Sequence, residues 1–176
     1  MLEETYVGMD VGRFADATAF CVISKDLQTE RRTLVYVKEL RNTAFEAQYG
    51  WVVRINNYFR PQKIFIDATG VGLAVAEHIK KIGLPAESIP FTLQRKQEMA
   101  VELKRLFEKK LIKIPLHKKL ISQLCDLQFE LTERGEIKLP DQGKPTDLLW
   151  ALCLACFASG QSSYIPSVAR FVKPKW

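Results

Sequence analysis

Residues 63–73 read KIFIDATGVGL: a short apolar run, one acid, and two glycines that open the next segment. A run of this length rich in Ile and Phe predicts a buried strand over 63–66 that ends at Asp67. The residues from Thr69 onward predict a helix that continues to about residue 82. A buried strand followed at once by a helix is typical of an α/β fold.

The two glycines are interpreted as packing residues. A phosphate-binding loop carries Lys and then Ser or Thr after its glycines, whereas Leu73 and Ala74 follow here. We therefore expect Gly70 and Gly72 to let the strand and the helix pack closely beside Asp67. We also expect no ATP hydrolysis by this chain.

Hydrophobic periodicity predicts the other elements on both sides of this stretch. An antiparallel meander comes first, helices and strands then alternate, and the helix over 43–58 takes Asn42 or Thr43 as its N-cap. The remaining predicted elements are strands over 6–9, 18–24, 33–40 and 86–91, helices over 94–110 and 117–125, an extended stretch over 112–115, a hairpin of 128–131 with 136–139 around TERG, and an apolar helix over 145–158. This order predicts an α/β fold with a mixed central sheet, helices on both faces and an added β-hairpin.

Length and composition describe one globular domain. The chain has 176 residues, of which 47% are hydrophobic, and it contains no apolar run of the ~18 residues that a membrane span needs. We assign residues 1–160 to the domain and 161–176 to a C-terminal tail. The first residues, MLEETYVGMDVG, lack the basic segment of a secretory signal, so we expect a chain that is not secreted.

The net charge of +6 is concentrated in one segment, residues 95–119, which we call the basic stripe. It holds nine Lys or Arg residues against three Glu. A stripe of this kind indicates a polyanionic partner such as nucleic acid, and the alternative is a solvated helix face. Charge alone leaves the two interpretations open.

The four cysteines are interpreted as small core residues. Cys153 and Cys156 lie in the apolar run LLWALCLACFA, and only His78 and His117 are available to complete a zinc site. Structural zinc sites take four ligands at short local spacings. The sequence therefore predicts buried free thiols.

Three aspartates are placed where a metal site would form. Asp10 ends the first strand, Asp67 ends the KIFI strand, and Asp147 lies in the first turn of the last helix. Clustered carboxylates repel one another unless a cation neutralises them, and oxygen ligands without histidine favour Mg²⁺ or Mn²⁺. The alternative at each position is local: a turn former at Asp10, a helix cap at Asp67, and a favourable helix N-terminus at Asp147.

Three segments, in order, resemble the acidic motifs of the nuclease domain of bacteriophage large terminases, the DNA-packaging motor proteins. They are YVGMDVGRFADATAF, IFIDATGVGLAVAEHI and GKPTDLLWALCLACFA, and the resemblance covers about residues 6–158. It implies a ribonuclease H-like fold and a metal-dependent endonuclease that cuts double-stranded DNA. It also implies an ATPase domain, a small terminase and a portal protein as partners in the full motor, a role in the host cytoplasm, and no membrane.

The resemblance carries the family's metal ligands onto Asp10, Asp67 and Asp147, which would also be the catalytic residues. Asp16 matches a supporting ligand, and Thr146 stands where the family commonly has an acid, so a second ion would bind weakly. Two ions would clamp the phosphate, one activating water and one stabilising the leaving oxygen. The residues expected to contact DNA are Arg13, Arg95, Lys96, Lys104 and Lys144.

Two other functions remain open at this point. One is a Holliday-junction resolvase or a transposase-like nuclease of the same fold, which would differ in its substrate. The other is a non-catalytic DNA-binding module, which the missing acid at Thr146 favours.

Overall fold

The structure, a computed structural model, describes residues 2–12, 17–127, 130–131, 137–138 and 145–161. A mixed sheet forms its centre. The strands are β1 Glu3–Asp10, β2 Thr18–Asp26, β3 Arg32–Leu40, β4 Lys63–Asp67, β5 Ala86–Ile89, β6 Ile112–Lys113, β7 Glu130–Leu131 and β8 Ile137–Lys138. The helices are α1 Phe45–Phe59, α2 Val71–Lys81, α3 Leu93–Glu108, α4 Lys118–Asp126 and α5 Asp147–Gly160.

Six strands pair in the order β5-β4-β1-β2-β3-β6. Strands β1, β2 and β3 form an antiparallel meander, while β4 and β5 run parallel to β1 and β6 runs parallel to β3. Strands β7 and β8 form a separate antiparallel pair. The predicted mixed sheet, meander and hairpin are confirmed.

Two hydrophobic cores lie on opposite faces of the sheet. Helices α3, α4 and α5 bury residues such as Leu103, Leu120 and Leu152 against one face, together with Phe65 of β4. Helices α1 and α2 cover the other face, where Val52 and Ile79 pack against Phe20. Alternate residues of the central strands β1, β2 and β4 therefore enter different cores, because successive strand side chains point to opposite faces.

Two local expectations are wrong. The N-cap of α1 is Ala44, not Asn42 or Thr43, and it makes no side-chain capping bond. The Thr43 hydroxyl instead donates to the carbonyl of Arg41, so it is not available to the helix. Three cysteines are buried as expected, but Cys125 in the last turn of α4 is exposed.

Among the helices of the described ranges, none has the length and apolar character that crossing a bilayer requires.

Candidate active site

The first two aspartates of the predicted site end neighbouring strands. Strands β1 and β4 are parallel, and Met9 pairs with Ile66. Asp10 and Asp67 are the next residues of the two strands, so they lie side by side at one edge of the sheet. Met9 and Ile66 belong to the core under α1 and α2. By alternation, both carboxylates belong to the opposite face, the face that α5 covers.

The pKa of Cys153 on α5 agrees with this placement of Asp10. Burial raises the pKa of the Cys153 thiol well above its ordinary value, and the neighbouring cysteines and the negative charge of Asp10 raise it further. Cys153 is therefore a neutral thiol beside Asp10. Since a metal binds the thiolate form, the oxygen of the carboxylate is the better ligand at this position.

Asp67 is the buried acid of the pair, with 8% of its surface exposed. Its Oδ1 accepts a hydrogen bond from the backbone N–H of Thr69 at 2.8 Å. Burial raises the pKa of Asp67, while the hydrogen bonds from Thr69 and the charge of Lys96 act in the opposite direction. The N-cap of α2 is Gly70, so the carboxylate turns the chain at the strand end and is not the cap of that helix.

Gly72 brings α2 against the end of β4. A Cβ built on Gly72 would lie 1.8 Å from the backbone oxygen of Asp67, closer than any real side chain permits. Gly70 has a φ of 62°, in the region that favours glycine. The predicted packing role is confirmed for Gly72, whereas Gly70 takes the positive φ at the N-cap of α2.

Helix α5 carries the third aspartate to the same face. A Cβ on Gly8 of β1 would lie 2.0 Å from the backbone oxygen of Ala151 and 2.5 Å from the nitrogen of Ala155. The helix therefore rests directly on β1, and Asp147 begins it one turn before Ala151. Gly8 was not among the predicted site residues, although a glycine inside an apolar strand signals a close backbone approach.

The start of α5 is held by a residue of another helix. Thr146 occupies the N-cap position, but its side chain makes no capping bond. The backbone N–H of Leu149 donates instead to Oε1 of Gln123 on α4 at 2.9 Å. Gln123 is buried, and nothing in its local sequence distinguishes it from a surface glutamine.

The structure does not itself define an ion site. Within the described residues, no three His, Cys, Asp or Glu side chains are grouped so that they could hold one metal. Joint coordination by Asp10, Asp67 and Asp147 stays a prediction. Asp16, Arg13 and Lys144 lie outside the described residues.

The three remaining basic candidates lie on α3 and differ in their surroundings. Arg95 pairs with Glu98 at 3.0 Å, and Lys104 pairs with Glu108 at 3.7 Å. Arg95 also places its guanidinium 5.1 Å from the ring centre of Phe157, and Lys96 places its ammonium 5.1 Å from that of Trp150 and 5.4 Å from that of Phe91. Since its charge acts on Asp67, Lys96 connects the basic stripe with the acidic edge.

These features define the class of the domain. A mixed sheet in this strand order, with helices on both faces and acids at the ends of two adjacent parallel strands, is a ribonuclease H-like α/β fold. The sequence profile of the terminase RNaseH-like domain matches residues 7–158, and the chain belongs to this family. This membership favours the terminase assignment over the resolvase and transposase alternatives.

Solved structures of large terminases share the fold. The nuclease of the large terminase of thermophilic phage G20c, with bound magnesium, is 21% identical and superposes with a TM-score of 0.73 over 88% of this chain and 81% of that one. The large-terminase nuclease domain of bacteriophage SPP1, with bound Mn, is 19% identical, with a TM-score of 0.61 over 86% and 84%. No protein with a curated function matches the sequence.

A longer relative shows how the domain relates to a whole subunit. The large terminase of bacteriophage HK97 is 12% identical and has a TM-score of 0.67. The match covers 89% of this chain but only 39% of that protein. The chain therefore corresponds in fold to one part of a large terminase.

Proposed function

We propose that this chain is a divalent-metal-dependent endonuclease that hydrolyses double-stranded DNA during viral genome packaging. The observation that carries the proposal is the placement of Asp10 and Asp67 at equivalent ends of two paired parallel strands. Both belong to the face covered by α5, the helix that begins with Asp147.

Asp10, Asp67 and Asp147 are the residues that would hold Mg²⁺ or Mn²⁺, with Asp16 as a supporting ligand. Carboxylate oxygens are the ligands that these ions prefer, and the neutral Cys153 thiol does not compete with them. When bound, two such ions supply an activated water and stabilise the leaving oxygen.

The chain's own residues prepare the acidic edge for a cation. Burial penalises the ionised form of Asp67, so this carboxylate gains from a positive partner more than an exposed one would. The Thr69 N–H fixes one of its oxygens, which orients the group. Because Gly8 and Gly72 have no side chain, α5 and α2 pack directly on the backbone of β1 and β4. This packing fixes the backbone that carries the aspartates.

Lys96 is the residue best placed to contact DNA beside this edge. Its ammonium lies over two aromatic rings and close enough to Asp67 to oppose the rise in the pKa of that carboxyl, which places a positive charge where a backbone phosphate would arrive. Arg95 and Lys104 would exchange their pairs with glutamate for contacts with phosphates farther along α3. Arg13 and Lys144 complete the proposed DNA-binding set.

In the full motor, the proposed partners are an ATPase domain, a small terminase and a portal protein. The proposed place of action is the host cytoplasm, where viral DNA is packaged. Family membership and the match to part of the HK97 protein support this assignment.

The test is digestion of supercoiled plasmid with Mg²⁺, with Mn²⁺ or with EDTA. We expect nicked and linear products with either ion and intact plasmid with EDTA. Plasmid that stays intact with both ions at high protein concentration would contradict the proposal.

The same assay examines the second candidate, a non-catalytic DNA-binding module, which the absence of an acid at Thr146 favours. That function predicts a salt-sensitive shift of DNA in a gel without any cleavage.

A further inference from the structure

The face of α1 that lies beside β3 forms a second surface with its own composition. A groove of about 620 Å³ opens between the helix and the strand. We call this region the aromatic surface; its residues are Val35, Tyr36, Trp51, Arg54, Tyr58 and Phe59.

The local sequence explains how these side chains reach one surface. Trp51, Arg54 and Tyr58 follow one another at helical spacings of three and four residues, so they form one stripe of α1. On β3, Tyr36 pairs with Val22 and Leu34 pairs with Ile23, which leaves Val35 as the extra residue of a β-bulge. Bulges of this kind redirect a side chain.

Apolar area remains exposed at this surface. Tyr58 is 81% exposed and Val35 is 46% exposed. Phe59 contacts both neighbouring rings, with its centre 4.7 Å from that of Tyr58 and 5.6 Å from that of Tyr36. Tyr36 and Phe59 therefore form the packed floor of the groove, while the Tyr58 ring remains open to solvent.

The rim of the groove is basic. The ammonium of Lys38 lies 4.6 Å from the centre of the Trp51 ring, and the guanidinium of Arg54 lies 5.3 Å from it. The neighbouring acid of β3, Glu39, is engaged elsewhere, by Arg41 and Lys119. An apolar groove with a cationic rim complements an apolar side chain that is flanked by anions.

This surface is separate from the acidic edge. Helix α1 packs in the core on the face opposite to α5. It begins near that edge, where Gln48 accepts a hydrogen bond from Thr18, and ends where the Phe59 carbonyl accepts one from Thr5 near the start of β1. The aromatic surface lies on β3 and on the part of α1 from Trp51 to Phe59, away from the proposed catalytic residues.

We propose that the aromatic surface docks a segment of another protein in which an apolar or aromatic anchor is flanked by Asp or Glu. Tyr, Trp and Arg are the residues that dominate binding energy at protein interfaces. Both cations lie over the Trp51 ring, so this ring is less open to the base stacking that a single-stranded nucleic acid uses. The proposal goes beyond the nuclease function and does not depend on it.

The test is a selection from a displayed library of random 12-residue peptides against the whole 176-residue chain. A chain with Tyr58→Ala and Arg54→Glu serves for counter-selection. We expect enriched peptides with an aromatic or aliphatic anchor and an excess of Asp and Glu. Each substitution alone should lower the affinity of the best synthetic peptide by about tenfold or more, as measured by fluorescence anisotropy.

Two matched substitutions on α2 act as controls. Leu73→Ala truncates an exposed apolar side chain, and Lys80→Glu reverses an exposed charge, both outside the aromatic surface. These variants should bind the peptide as wild type does. All variants should melt at the wild-type temperature, because Tyr58 and Arg54 are exposed.

Three results would overturn the proposal. The first is a selection without any peptide sensitive to Tyr58→Ala and Arg54→Glu, and the second is enrichment of basic peptides. The third is binding of a 15-nucleotide oligo(dT) that these substitutions abolish while no peptide is affected, which would assign the surface to nucleic acid.

Discussion

Helices α3 and α5 pack side by side on the same face of the sheet, yet they contribute different kinds of surface. Helix α5 buries eleven of its fourteen residues and has no solvated face. Helix α3 buries Met99, Ala100, Leu103 and Leu106 of its sixteen residues and leaves the others at or near the surface.

The difference in burial suits the two helices to different functions. A helix packed on every side cannot shift without disturbing the core, so α5 suits a residue whose position must be fixed, such as Asp147. A helix with an open charged face can exchange its ion pairs for phosphates, so α3 suits contacts with DNA. Changes at the fixed edge should affect cleavage and folding, whereas changes on α3 should affect DNA affinity.

The largest effect is expected for Asp67→Asn. Asparagine keeps the size of the side chain but removes the charge that would hold a cation, so plasmid cleavage should fall by about a thousandfold or more. Glu77→Gln on exposed α2 is the matched control and should cut as wild type does. Cleavage by Asp67→Asn at the wild-type rate would mean that this acid is not part of the active site.

The same substitution should change stability in a pH-dependent way when EDTA removes metal. Burial raises the folded-state pKa of Asp67, so above that pKa the wild type carries an unfavourable buried charge. Asp67→Asn should therefore melt at a higher temperature at pH 7, and its advantage should shrink as the pH falls below the raised folded-state pKa and vanish below the ordinary pKa of the unfolded chain. An advantage that grows on acidification would contradict the assignment.

Gly8→Ala tests whether α5 depends on direct contact with β1. The added methyl group would meet the backbone of Ala151, so we expect a loss of about 3 kcal/mol in the free energy of unfolding together with weaker cleavage. Gly50→Ala in α1 is the control, because nothing lies within 4 Å of its added Cβ. That control should gain about 0.5–1 kcal/mol, the usual difference between Gly and Ala in a helix. Equal stabilities for the two variants would refute the close approach.

Lys96→Ala and Lys104→Ala compare two positions of the basic stripe. Lys96 lies beside Asp67, whereas Lys104 pairs with Glu108 away from it. We expect Lys96→Ala to lower cleavage by about tenfold. The slope of log DNA affinity against log salt concentration should fall by about one, the value for one lost phosphate contact. Lys104→Ala should have a smaller effect. Equal effects would mean that the stripe binds DNA uniformly.

The smallest effect is expected for Thr146→Asp. Thr146 makes no side-chain capping bond, so its replacement removes no hydrogen bond of the helix. An added carboxylate beside Asp147 should lower the metal concentration for half-maximal cleavage by about threefold, since it adds a charged ligand. An unchanged metal titration would contradict the prediction that a second ion binds weakly. It would not affect the proposed roles of the three aspartates.

The fold could be predicted because its signals are local. The apolar run that ends at Asp67, the glycines after it and the apolar stretch of α5 each indicate an element by composition and period. The pairing of β1 with β4 was not predicted, because it joins two elements that are far apart in sequence. The wrong N-cap at Thr43 shows the limit, because its hydroxyl forms a different hydrogen bond within the preceding turn.

The parts of the site that were missed depend on long-range contacts. Gln123 reaches the start of α5 from another helix, and no local pattern marks it. The special position of Lys96 among the stripe residues arises from Trp150, which is far away in sequence. Tyr58 lies on a predicted helix, but its 81% exposure depends on which face of that helix packs on the sheet.

The most direct test of the central claim is calorimetric titration of Mn²⁺ into the wild type and into Asp10→Asn, Asp67→Asn and Asp147→Asn, without DNA. It measures metal binding separately from cleavage. We predict saturable binding by the wild type and a loss of about tenfold or more in affinity for each variant, while Glu77→Gln binds as the wild type does. Wild-type affinity in all three variants would contradict the claim that these aspartates hold the metal.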